Sequence, residues 1–212
     1  MTPVWIAVGV CIAATVALLV AEKNESALAK AIFKPTASTA FIAVALLNGA
    51  MDTAYGKAVV VALVFSWFGD VFLLSRKRSM FLGGLVAFLL GHVAFGVAFV
   101  LGGITWLWAL VAVVPMLGIF EAVRRWLIPS VEPKMKGPVY AYMVIITAMV
   151  ILAAGLVGST DEPLYLVAAT MFFVSDLSVA RDRFIEQGFH NRIWGIPLYF
   201  GAQILFGLTV AI

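Results

Sequence analysis

Charge is scarce in this 212-residue chain: Asp, Glu, Lys and Arg together make up 12% of it, against 64% apolar residues. A soluble domain carries roughly a quarter charged and about 45–50% apolar residues. A water-exposed globule is therefore excluded, and lipid must be the solvent for most of the surface. One cysteine, Cys11, is present, which excludes an intrachain disulfide or a cysteine-held metal cluster and leaves Cys11 as packing. Two histidines, His92 and His190, are too few for a three-histidine zinc centre. The chain has no G-x-S-x-G nucleophile turn, no H-E-x-x-H pair and no phosphate-binding glycine loop. These residues call for no metal and no cofactor. The net charge of +3 is small and its carriers scattered, so nucleic acid is not an expected partner. No Lys or Arg precedes the first apolar run, which is longer than a signal-peptide core and reads as a retained span.

What is present is a series of apolar runs, at 3–21, 35–50, 58–75, 80–101, 104–121, 138–158, 163–180 and 193–212. Their lengths suit helices that cross a bilayer, and the alternation of a membrane barrel is missing. The expectation is an all-α, polytopic bundle of eight transmembrane helices forming a single domain over 1–212. The odd-numbered loops carry Lys23, Lys30 and Lys34, then Arg76, Lys77 and Arg78, then Arg124, Arg125, Lys134 and Lys136, then Arg181, Arg183 and Arg192. The other loops and both ends hold only Lys57. By the positive-inside rule the basic loops are cytoplasmic and both termini lie outside, which places a bacterial chain in the inner (plasma) membrane. Trp5, Tyr55, Trp106, Trp108 and Tyr165 fall near the outer boundary, and Trp126 and Trp194 near the inner one, as interfacial aromatics do. Six glycines between Gly83 and Gly103 predict close packing on the fourth helix.

Two carboxylates lie inside spans, Asp70 in the third and Asp176 in the seventh, each near the inner end of its run. An unpaired charge at that depth costs several kcal/mol, and two at matched depth point to a site. The bland reading is a polar lock between helices, with Ser66, Ser175 or Ser178 as partners. His92 falls near the midplane of the fourth helix, about 18 Å in, with Gln203 of the eighth at similar depth; each reads either as interior hydrogen bonding or as part of the site. Tyr199 lies one turn before Gln203, within reach of a partner side chain or a ligand. Lys34 opens the second run and serves either to snorkel toward headgroups or to bind a substrate phosphate. Glu121 reads as interfacial.

Lys34-Pro35, Phe65-Ser66-Trp67-Phe68-Gly69-Asp70 with Leu73-Leu74, Gly91-His92, Phe173-Val174-Ser175-Asp176 and Pro197-Leu198-Tyr199 followed by Gln203 together resemble the YhhN family, which contains lysoplasmalogenases. The resemblance runs from the second helix to the last. It implies an eight-helix membrane fold and hydrolysis of the vinyl ether bond of a lysoplasmalogen to a fatty aldehyde and glycerophosphoethanolamine or glycerophosphocholine. It places catalysis on Asp70, Asp176 and His92 and substrate contacts on Lys34, Ser66, Ser175, Tyr199 and Gln203, with a lysophospholipid entering from the inner leaflet. Paired carboxyls suit such chemistry, because enol ether cleavage passes through an oxocarbenium ion, as glycoside hydrolysis does. Two other readings stand beside it. Intramembrane Asp and His also mark proton-coupled transporters, and a non-catalytic lipid-binding protein would share the composition.

Overall fold

The computed structural model describes residues 3–75 and 77–212; Arg76 of the second basic loop lies outside them. Eight long helices are present among the described residues: α1 Pro3–Lys23, α2 Ala27–Leu47, α3 Ala54–Phe72, α4 Arg78–Leu101, α5 Trp106–Leu127, α6 Pro133–Thr160, α7 Leu164–Phe184 and α8 Phe189–Leu208. All eight are long and apolar enough to cross a membrane, and the chain is an integral, multi-pass membrane protein. The expected count holds.

Several boundaries differ from the apolar runs, for a consistent reason. The helix α2 begins at Ala27, capped by the Ser26 hydroxyl, which accepts from the Ala29 N–H at 3.4 Å. Lys30 and Lys34 therefore stand on the helix, and Pro35 is interior to it. Charges depress hydropathy without breaking helix, so the run seemed to start late. In the same way α6 starts at Pro133 rather than at Pro138, and α5 and α7 extend through Arg124, Arg125, Arg181 and Arg183. The helix α3 is capped by Thr53, whose Oγ1 accepts from Gly56 N–H at 2.9 Å, and ends at Phe72. Asp70 thus lies in its last turn, whereas Asp176 lies about two turns before the end of α7.

Contacts close α2, α3, α4, α6, α7 and α8 into a ring. The first helix lies against both α2 and α8, and α5 lies on α6. The outer position of α5 shows in its sequence: only Ala109, Met116 and Leu127 are buried, while Trp106, Leu107, Trp108, Leu110 and Val114 are exposed to the lipid side. Glycines on α4 admit its neighbours, as expected. A Cβ on Gly91 would sit 3.3 Å from the Ala62 carbonyl of α3, and one on Gly96 would sit 3.2 Å from Leu152 of α6. Between α7 and α8 the approach is closer, since a Cβ on Gly195 would fall 1.7 Å from Ser178 Oγ. In lipid, where apolar contact alone gives little drive, such close packing is what holds helices together. Aromatics fill the ring's centre: Phe41, Phe95, Phe99, Phe172, Phe200 and Phe206 are fully buried, with Phe95 and Phe206 stacked at 4.0 Å.

Candidate functional site

The third helix delivers Asp70 to a buried position where three donors meet it. Lys34 Nζ lies 3.2 Å from Oδ1, and the hydroxyls of Ser38 and Tyr199 each donate to Oδ2 at 2.6 Å. Lys34 and Ser38 are four residues apart on α2, hence on one helix face, and that face is turned to α3. The arrangement is a buried ion pair in which Oδ2 accepts two hydroxyls and Oδ1 faces the ammonium. A pair of this kind tolerates burial because its geometry is complete; removing one member leaves an uncompensated charge.

Asp176 on α7 is held differently. Its Oδ2 accepts from the Tyr142 hydroxyl at 2.5 Å, and His92 Nε2 lies 3.1 Å from the same oxygen and 2.9 Å from the Tyr142 oxygen. Because the Tyr142 proton is directed at Asp176, the contact with His92 assigns the ring N–H to Nε2. Among the described residues Oδ1 makes no hydrogen bond, and His92 Nδ1 has no partner. The His92 ring packs edge-on against Phe172, with centroids 4.5 Å apart.

Both carboxylates line one cavity of about 520 Å³. Tyr142 and Tyr199 stand on its wall beside them, with Lys34 and Ser175. Its apolar side is made by Leu73 of α3, Phe88 of α4, Phe120 of α5 and Met143 and Ile146 of α6. Its rim, at the end of the bundle formed by the α1–α2 and α7–α8 connections, carries Glu22, Asp182, Arg183, Glu186 and Arg192. These are cross-linked: Arg192 bridges Asp182 at 2.6 Å and Glu22 at 3.4 Å, and Arg181 pairs with Glu186 at 2.5 Å.

The residues singled out in the sequence thus divide. Asp70, Asp176, Lys34, Ser175 and Tyr199 share the cavity. His92 is fully buried and stands behind Asp176, off the cavity wall. Ser66 and Gln203 are buried away from it and face one another, with Gln203 Nε2 3.4 Å from Ser66 Oγ and Gln203 Oε1 without a partner among the described residues. The serines named in the alternative polar-lock reading are engaged elsewhere: Ser66 donates to the Ala62 carbonyl and Ser175 to that of Phe172, and Ser178 lies under Gly195. Lys34, read either as snorkelling or as a phosphate contact, has its ammonium 3.2 Å from Asp70 Oδ1. Glu121 pairs with Arg124 and Arg125 on its own helix and is not part of the cavity lining. Ser38 and Tyr142 were missed. Ser38 had a signal, its spacing of four from Lys34; a tyrosine inside a long apolar span such as Tyr142 had none.

The cavity thus brings together a carboxylate facing a cation, a second carboxyl with an unpartnered oxygen, an apolar wall and a charged rim. Among curated proteins, Lysoplasmalogenase TMEM86A of Bos taurus is 29% identical over 157 residues, covering 71% of this chain and 64% of that protein. The aligned part is therefore slightly less than two thirds of the relative's length. No solved structure matches. The model of the YhhN family matches residues 29–210, which take in every side chain of both carboxylate clusters, and the chain belongs to the YhhN family.

Proposed function

We propose that this protein is a lysoplasmalogenase-like hydrolase that cleaves the vinyl ether of a lysoplasmalogen with Asp70 and Asp176. The observation that carries the reading is that the two intramembrane carboxyls open onto one cavity with an apolar wall and a charged rim. Family membership and the similarity to a lysoplasmalogenase supply the reaction class.

The chemistry is an acid-catalysed hydration. A proton adds to the carbon β to the ether oxygen, the double bond shifts to form an oxocarbenium ion, and water adds to the cationic carbon. The resulting hemiacetal collapses to a fatty aldehyde and the glycerol hydroxyl of the glycerophospho-alcohol. The two surroundings divide the roles. Asp70, facing the Lys34 ammonium, is the fixed carboxylate that stabilises the cation and takes a proton from the attacking water. Asp176, with no cation beside it and Oδ1 open to the cavity, delivers the proton to carbon. The Tyr142 and His92 donors on its other oxygen then support the carboxylate left behind, an arrangement that preorganises charge where it develops. His92 is a positioning residue in this scheme, because it does not reach the cavity.

The substrate's chain lies along the apolar wall, with its headgroup at the rim, on the cytoplasmic side if the basic loops obey the positive-inside rule. Purified protein in detergent should release aldehyde from choline or ethanolamine lysoplasmalogen. In heavy water the aldehyde should carry one deuterium on the carbon next to the carbonyl. Unconverted lipid or solute moving into sealed vesicles, with no aldehyde in detergent, would replace the hydrolase reading with a carrier.

A further inference from the structure

The arginine at position 183 is the one basic side chain on the cavity wall without a carboxylate partner among the described residues. Lys34 is paired with Asp70, and Arg192 with Asp182 and Glu22. Arg183 instead lies over the Phe81 ring, its guanidinium carbon 4.5 Å from the ring centroid. Phe81 is buried, and Phe184 meets it edge-on at 5.8 Å. Stacking on an aromatic face holds the guanidinium by its plane and leaves the N–H edge available.

Position along α7 adds a second constraint. Arg183 follows Asp176 by seven residues, two turns, so the two share a helix face with Cα atoms about 10 Å apart. Arg181 and Asp182, off that register, are engaged in the rim network. A free cation edge therefore stands above the open oxygen of Asp176, at the border between apolar wall and polar rim. In a lysoplasmalogen the phosphodiester is joined to the vinyl ether by a glycerol bridge, and that bridge together with the reach of the two side chains spans this separation.

We propose that Arg183 is the anchor for the substrate's phosphodiester, binding it through a charge-assisted fork and so setting the vinyl ether at the depth of Asp176. The assignment rests on the lipid-substrate reading above and moves the phosphate contact from Lys34 to α7. It also gives the site its class selectivity: phosphate-bearing lysolipids over neutral monoalkyl glycerols.

The test uses binding, so that it does not depend on turnover. A saturated 1-alkyl lysophosphocholine and the matching 1-alkylglycerol are titrated into the full chain in a phosphate-free maltoside detergent, beside Arg183→Gln, Arg183→Lys and, as a control off the cavity, Arg125→Gln. Arg183→Gln should weaken the lysophospholipid about 10- to 100-fold, the size of a charge-assisted contact, and leave the alkylglycerol unchanged. Arg183→Lys should fall between, and Arg125→Gln should match the parent. Inorganic phosphate at millimolar concentration should compete only weakly, because it lacks the chain. Equal weakening of both lipids, or of neither, would overturn the anchor, as would Arg183-dependent capture of inorganic phosphate with lipid binding unaffected. Arg183-dependent binding without aldehyde release from the vinyl ether would uphold the anchor and remove the hydrolase.

Discussion

The α3 side and the α7 side of the cavity each present a carboxyl group, but they treat it in opposite ways. On the α3 side Asp70 is nearly inaccessible and receives an ammonium and two hydroxyls, one from α2 and one from α8 in addition to Lys34. On the α7 side Asp176 receives both contacts on one oxygen, from α4 and α6, and keeps the other toward the cavity. Three donors from two helices hold the first charge on both its oxygens; two donors, also from two helices, meet the second on one oxygen and leave the other without a partner among the described residues. The difference teaches that matched carboxyls in a membrane need not be equivalent: the neighbouring helices, rather than the residue type, set how each is held.

Breaking the α3 side should give the largest change in stability. Lys34→Met leaves Asp70 buried without its cation and should destabilise the detergent-solubilised protein by about 3–5 kcal/mol, the usual consequence of halving a buried pair. Adding Asp70→Asn to it should restore most of that loss, as thermal or denaturant unfolding would show. A smaller effect, confined to activity, is expected on the α7 side. Tyr142→Phe removes one donor to Asp176 and should lower kcat about 10- to 100-fold with KM little changed; an unaltered kcat would mean that Asp176 needs no support while it reacts. The smallest effect belongs to Ser175→Ala. Its hydroxyl donates to the carbonyl of its own helix at 2.7 Å and to neither carboxyl, so stability should shift by no more than about 0.5 kcal/mol. A large loss of turnover there would show that Ser175 leaves its helix to meet substrate.

The spans and the two carboxyls were visible in the sequence; the contrast between them was not, and that has a physical cause. Eight apolar runs stand out because lipid demands them, and two carboxyls inside such runs stand out because their burial is costly. What failed was the treatment of charge within helices. Lys30, Lys34, Arg181 and Arg183 read as loop residues because they lower hydropathy, yet all four are helical. Lys34 could be recognised as the partner of Asp70 only once α2 was known to begin at Ala27 and to place it beside the end of α3. Ser38 and Tyr142 were hidden for a different reason: hydroxyls are tolerated throughout membrane helices by bonding backward to a carbonyl, and only the packing of helices decides which of them find a carboxylate. Ser38 Oγ stands within reach of both, 2.9 Å from the Lys34 carbonyl and 2.6 Å from Asp70 Oδ2, with one proton to share between them.

The most direct measurement is aldehyde release from lysoplasmalogen by purified Asp70→Asn and Asp176→Asn variants, each first shown to retain the parent's elution profile and helical content. An amide can neither hold the negative charge required on the α3 side nor deliver the proton required on the α7 side. The expected result is a fall in kcat of at least about 100-fold for each, the scale of a lost acid–base group. Full turnover by either folded variant would contradict a mechanism that needs both carboxyls.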